Sequence, residues 1–158
     1  MPRVGRKREL KFATEKYWRQ EITASELLAT ATDVVDDIYK QQVNAGIDLI
    51  PVNDFSFYDR VLDLCCLLGM TPKRFQKNVQ SFYLDEYFRL ARGDGDIAAM
   101  EMTKWFDTNY HYLVPEVEAT SNPAFSDQLF AQQILPELDA EKQKFCLIGP
   151  VTFLALAK

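Results

Sequence analysis

Histidine is nearly missing from this sequence: His111 stands alone among 158 residues, and cysteine is confined to Cys65, Cys66 and Cys146. A zinc site needs three or four Cys, His or carboxylate ligands converging on one ion, so no metal is assigned to this chain. Two adjacent cysteines inside the apolar run VLDLCCLLGM do not make a disulfide framework and read as buried free thiols. Long apolar runs are absent too. None approaches the roughly 20 residues that cross a bilayer. The N-terminal MPRVGRKRELK lacks the apolar stretch of a secretory signal, and Glu9 and Glu15 interrupt the basic character a transit peptide needs. These absences exclude a membrane partner and point to a cytoplasmic location. There is no internal repeat and no low-complexity tract.

What is present suits an ordinary globular domain. Hydrophobic residues make up 47% and charged residues 26%, enough apolar matter for one core. Seven Tyr, eleven Phe and two Trp can fill that core and leave rings for a ligand surface. The net charge of −5 is unevenly spread: Arg3, Arg6, Lys7, Arg8 and Lys11 against Glu9 give the first eleven residues +4, which leaves −9 for the rest. An acidic body repels DNA or RNA, so the basic corner suits a small anion better than a nucleic acid.

The periodicity predicts a helix from Arg8 to about Trp18, with Leu10, Ala13, Tyr17 and Trp18 near one face. A second helix is clearer. Thr23 and Glu26 form a capping box, Leu27, Ala31, Val34, Val35, Ile38 and Val43 fall at helical spacing, and Gly46 stops the run. Ile47 to Val52 reads as a strand, followed by a loop and a helix within NDFSFYDRVLDLCCLLGM. The same grammar returns at the end, where KFCLIGP leads into VTFLALAK. Between them the spacing predicts helices from Phe82 to Ala91 and from Ser126 to Lys142, the latter bent near Pro136, and a turn at RGDGD. Helices alternating with short apolar strands imply an α/β fold with a parallel sheet, either doubly wound or a barrel.

Three places can carry chemistry. In RKRELK, Arg8 and Lys11 are three apart and share a helix face. Cations at a helix start oppose its dipole unless an anion sits there, and the plain alternative is a solvated basic patch, which sequence statistics alone favour. In EMTKWFDTNYHYLVPE, rings alternate with Lys104, Asp107, Asn109 and His111, a mixture that suits a flat heterocycle or sugar, with the lysine placed to grip a carboxylate or phosphate. The alternative there is a strand whose rings fill the core, with His111 a structural residue. The third place is the pair of loops NDFSFYD and GPVT, at the carboxyl ends of the strands, where Asp54 and Thr152 stand. Asp54 serves equally well as a helix cap.

At these same segments the chain resembles the N-terminal domain of the cobalamin-independent methionine synthases, the 5-methyltetrahydropteroyltriglutamate–homocysteine methyltransferases. PRVGRKRELKFATEKYW, AGIDLIPVNDFSFYDRVLD, EMTKWFDTNYHYLVPE and LIGPVTFLALAK carry the resemblance, in the family's order. It implies an enzyme of two (βα)8 barrels in which the C-terminal barrel holds zinc and the homocysteine thiolate, while the N-terminal barrel helps bind 5-methyltetrahydropteroyltri-L-glutamate, the methyl donor. The family's folate-contacting motif falls on Arg8, Glu9, Leu10 and Lys11, with a further contact at Lys104. Guanidinium and ammonium groups are the natural partners of a polyglutamate tail.

The resemblance further implies that residues 1–158 are the N-terminal part of that folate-binding domain, roughly the first half of one TIM-type barrel, since a barrel takes about 250 residues. The chain begins where the family has an aromatic residue before Pro-Arg, and ends inside the helix after LIGPVT. On this expectation the zinc and homocysteine sites lie in the missing barrel, and the chain by itself is inactive. It would leave open strand edges and apolar surface that recruit a second copy or the missing half. The rival expectation is a stand-alone folate- or anion-binding or regulatory module without catalysis.

Overall fold

The computed structural model describes residues 4–75, 83–118, 121–125 and 140–158. The chain divides into two compact units, Met1–Phe57 with Gln133–Leu147, and Tyr58–Gln132 with Ile148–Lys158.

In the first unit, α1 (Glu9–Trp18) packs on α2 (Ala24–Asn44). The predicted capping box at the start of α2 is present: the Thr23 hydroxyl accepts from the Glu26 amide, and the Glu26 carboxylate accepts from the Thr23 amide at 2.7 Å. Those bonds to Thr23 hold the Glu26 carboxyl below its usual range. Gly46, at φ 73°, ends the helix as predicted. Leu10 and Ala13 of α1 and Leu27, Ala31, Val34 and Val35 of α2 are buried. The α1 stripe differs slightly from the expected one, because Thr14 is buried while Tyr17 and Trp18 are half-exposed. The strand predicted from Ile47 is shorter, β1 (Ile50–Val52), and is joined in parallel by β4 (Gln143–Phe145), with Ile50 opposite Gln143 and Val52 opposite Phe145. Ile50 and Val52 close a small core with Val35 and Tyr39, against which Phe55 packs.

In the second unit, α3 (Arg60–Leu67), α4 (Tyr83–Arg92) and α5 (Pro150–Leu156) accompany a hairpin of β2 (Met102–Lys104) and β3 (His111–Leu113). α3 begins later than one reading of the sequence allowed. Its cap is Asp59, whose side chain accepts from the Leu62 amide, and Asp54 is an exposed loop residue. The hydroxyl of Tyr87 explains the shift: it receives the amides of Tyr58 and Asp59 at 3.2 Å and keeps the chain extended up to Asp59. Pro150 opens α5 at its first position, where a missing N–H costs nothing, and Thr152 lies within that helix rather than in a loop before it. The RGDGD turn is closed by paired bonds between Asp94 and Ile97, each 2.9 Å. The helix predicted from Ser126 to Lys142 falls outside the described residues except for its last turn, a 3-10 helix at Ala140–Lys142.

The described strands thus form one parallel pair and one antiparallel hairpin in a mixed α/β chain. The short Trp105–Tyr110 connection forces the antiparallel arrangement, since a parallel neighbour needs a crossover of about a dozen residues.

Arg74 fastens the second unit by a two-pronged bond to Glu116, 2.5 and 2.7 Å, and a third bond from its Nε to the Ala98 carbonyl. The guanidinium holds the Glu116 carboxyl below its ordinary value of 4.5. A depressed carboxyl stabilises the fold fully above its unfolded pKa and loses that contribution as pH falls through the folded value. Arg74→Ala is therefore expected to cost on the order of 1 kcal/mol at neutral pH, the pair being partly screened by solvent. Urea unfolding at pH 7 and at pH 3 checks this: the gap between wild type and variant should shrink at the lower pH.

Candidate functional site

The basic motif begins with a turn, not with the helix. Gly5 takes φ 85°, and Arg8, the N-cap of α1, also lies in the left-handed region at φ 66°. The Leu10 amide donates to the Val4 carbonyl, and the Glu9 carboxylate folds back to accept from the Lys7 amide at 2.9 Å. A Cβ on Gly5 would stand 2.1 Å from the Glu9 Oε2. Gly5→Ala is therefore expected to break the Glu9–Lys7 bond and strain the backbone, at about 1–2 kcal/mol. Amide exchange at Lys7 and Leu10 should rise, with that of α2 unaffected.

This turn settles how the cations are used. Glu9 supplies the acid that the helix dipole favours in the first turn. Arg6 is taken by Asp37 of α2, at 3.0 and 3.3 Å. Lys11 lies 3.6 Å from Glu15 and 5.7 Å from the centre of the Phe12 ring. Arg8 is exposed and, among the described residues, has no side-chain partner. Leu10 points inward and is only 2% exposed. The groove beside the motif, about 410 Å³, is lined by Glu9, Asp33 and Asp37 against the single cation Arg6. An anion is thus better received on the Arg8 and Lys11 side than in that groove.

In the second unit Lys104 closes β2, faces His111 across the hairpin and is exposed, with no ion-pair partner among the described residues. Its neighbours are partly structural and partly free of the core. Trp105 packs edge-on against Phe106, Tyr110 and Tyr112 at 5.7 to 6.1 Å, and Tyr112 is buried with its hydroxyl on the Leu156 carbonyl. Phe106, at φ 49°, is 68% exposed at the loop tip. Asp107, Asn109 and His111 are exposed, the His111 Nδ1 lying 3.1 Å from the Asn109 carbonyl oxygen. The hairpin thus combines exposed polar side chains at Lys104, Asp107, Asn109 and His111 with the buried Tyr112 and Leu113 of β3.

The residue that sequence reasoning missed is Asp59. It is 2% exposed, and its carboxylate accepts from the Tyr110 hydroxyl at 2.8 Å, the Leu62 amide at 2.9 Å and the Leu113 amide at 3.2 Å. Its position just ahead of the apolar run RVLDLCCLL was the available signal. The paired cysteines sit in α3 as neutral thiols: burial pushes Cys65 up to about 12 and Cys66 well above its ordinary value.

The family model for the N-terminal domain of the cobalamin-independent synthases matches residues 1–158. The chain belongs to that family. It is 50% identical over 159 residues to the 5-methyltetrahydropteroyltriglutamate–homocysteine methyltransferase of Neisseria meningitidis serogroup B (strain ATCC BAA-335 / MC58), covering 99% of this chain and 21% of that protein. It is 49% identical over 162 residues to the enzyme of the same name from Mycobacterium leprae (strain TN), covering 99% and 20%. The chain therefore spans about a fifth of the length of the curated relatives it matches. As a member of the cobalamin-independent synthase family, its two cationic segments lie one in each unit: Arg8 to Lys11 in the first, Lys104 in the second. No helix among the described residues is long and apolar enough to cross a membrane.

Proposed function

We propose that this chain is the folate-holding N-terminal part of a cobalamin-independent methionine synthase, an enzyme that moves the methyl group of 5-methyltetrahydropteroyltri-L-glutamate to homocysteine. Family membership along the whole chain carries the reading, and the exposed side chains of Arg8 and Lys104, without an ion-pair partner among the described residues, support it. In this reading the family's folate-contacting positions, Arg8 to Lys11 in one unit and Lys104 in the other, supply the cations for carboxylates of the triglutamate tail. Glu9 and Leu10 hold the turn that presents Arg8 and Lys11. The whole domain is a (βα)8 barrel of which residues 1–158 form roughly the first half, with the parallel β1–β4 pair as part of its wall. Exposed apolar side chains at Leu49, Leu147, Val151 and Leu154 support a chain that is completed by further structure, the missing barrel half or a second copy.

Among the described residues no three His, Cys, Asp or Glu side chains are grouped to hold a metal ion. In this reading the zinc and homocysteine sites belong to the C-terminal barrel of the enzyme, and residues 1–158 contribute binding rather than catalysis. Calorimetric titration with methyltetrahydrofolate triglutamate tests the reading. Binding is expected, and Arg8→Ala and Lys104→Ala should each weaken it. An affinity that neither substitution changes would mean that the tail is held elsewhere.

A further inference from the structure

Lys104 sits on a hairpin too short to hold itself. Each strand has three residues, and two-stranded hairpins are marginal in water even when longer. Bonds within the loop, such as Trp105 amide to Tyr110 carbonyl at 2.7 Å and Thr108 hydroxyl to Trp105 carbonyl at 2.6 Å, set its shape but not its place. Its place comes from the buried side chains of Tyr112 and Leu113, from the Tyr112 hydroxyl on the Leu156 carbonyl, and from one buried carboxylate. Oδ1 of Asp59 takes the Tyr110 hydroxyl and Oδ2 takes the Leu113 amide, so the two oxygens grip the residue just before β3 and the last residue of β3. His111, the register partner of Lys104, lies between those two grips. Asp59 is itself immobilised, by capping α3 through Leu62 and by giving its amide to the Tyr87 hydroxyl, which in turn donates to Asp63 at 2.7 Å.

We infer that Asp59 and Tyr110 are positioning residues for the ligand tail: their bond fixes β3, and through the β2–β3 register it fixes where Lys104 presents its ammonium. This rests on the assignment of Lys104 to the triglutamate site. The ring of Tyr110 packs on Trp105 with or without its hydroxyl, so Tyr110→Phe removes the bond and leaves the packing.

The test compares the full chain with Tyr110→Phe, Lys104→Ala and the double variant, reading amide exchange and calorimetric affinity for methyltetrahydrofolate triglutamate. In Tyr110→Phe, exchange at Trp105 and Leu113 is expected to quicken about tenfold while that of α4 stays as it was. Affinity should fall about three- to tenfold when Lys104 is present and by much less in the Lys104→Ala background, because the two changes act on one contact. Unchanged exchange at Trp105 and Leu113 overturns the inference. So does an equal loss of affinity in both backgrounds. Quickened exchange with an affinity indifferent to Lys104→Ala instead sinks the folate assignment and leaves the anchoring of the hairpin standing.

Discussion

Asp59→Ala is expected to lower the stability of the chain by about 3–5 kcal/mol. Three consequences combine. The α3 cap disappears, typically about 1 kcal/mol. The Leu113 amide loses its acceptor in a buried position, at about 1–3 kcal/mol unless water enters, and the Tyr110 hydroxyl, on a residue 40% exposed, loses less. Asp59→Asn keeps a neutral acceptor and should cost about half as much. Urea denaturation followed by the fluorescence of Trp105, whose neighbours Tyr110 and Tyr112 belong to the same hairpin, gives the measurement. An alanine variant within about 1 kcal/mol of wild type would show that solvent replaces the carboxylate. A domain of this kind commonly has only about 5–15 kcal/mol to lose, so such a variant should also show frayed exchange along β3.

Helices were far more legible in the sequence than strands or side-chain networks, for a physical reason. The capping box at Thr23 and Glu26 and the apolar stripe of α2 are local codes, written within a few residues and read back from the same few. The β1–β4 pairing joins Ile50 to Gln143, and nothing in either segment names the other, so the sequence showed two apolar strands without their register. The end of Asp54's candidacy as a cap has the same origin. Both aspartates precede an apolar run, and the choice between them was made by Tyr87, far along the chain, whose hydroxyl receives the amides of Tyr58 and Asp59. The basic motif was legible as charge but not as geometry. Counting residues put five cations near one helix start, whereas the fold commits Arg6 to Asp37, leans Lys11 toward Glu15 and leaves Arg8 free of partners among the described residues. Which cation is available is a tertiary property, set by α2 lying against α1.

The affinity for methyltetrahydrofolate is expected to rise from the monoglutamate to the triglutamate, and that rise should nearly vanish in the charge reversals Arg8→Glu and Lys104→Glu. The extra glutamates add carboxylates and little apolar surface, so whatever they contribute must come from cations. Both side chains are exposed, which keeps each contact near the lower end of charge-assisted bonds; reversal replaces attraction by repulsion, and roughly a tenfold loss per residue follows. The loss should fall on the triglutamate and leave the monoglutamate nearly untouched, a split that general unfolding would not produce. Salt supplies an independent check, because contacts at the surface are screened within about 8 Å at physiological ionic strength and within about 3 Å at 1 M. Wild-type preference for the longer tail should therefore shrink with added salt, and the variants, having little preference left, should respond weakly. If the preference for three glutamates survives both reversals at low salt, neither Arg8 nor Lys104 holds the tail, and the basic corner of this chain is a solvated surface.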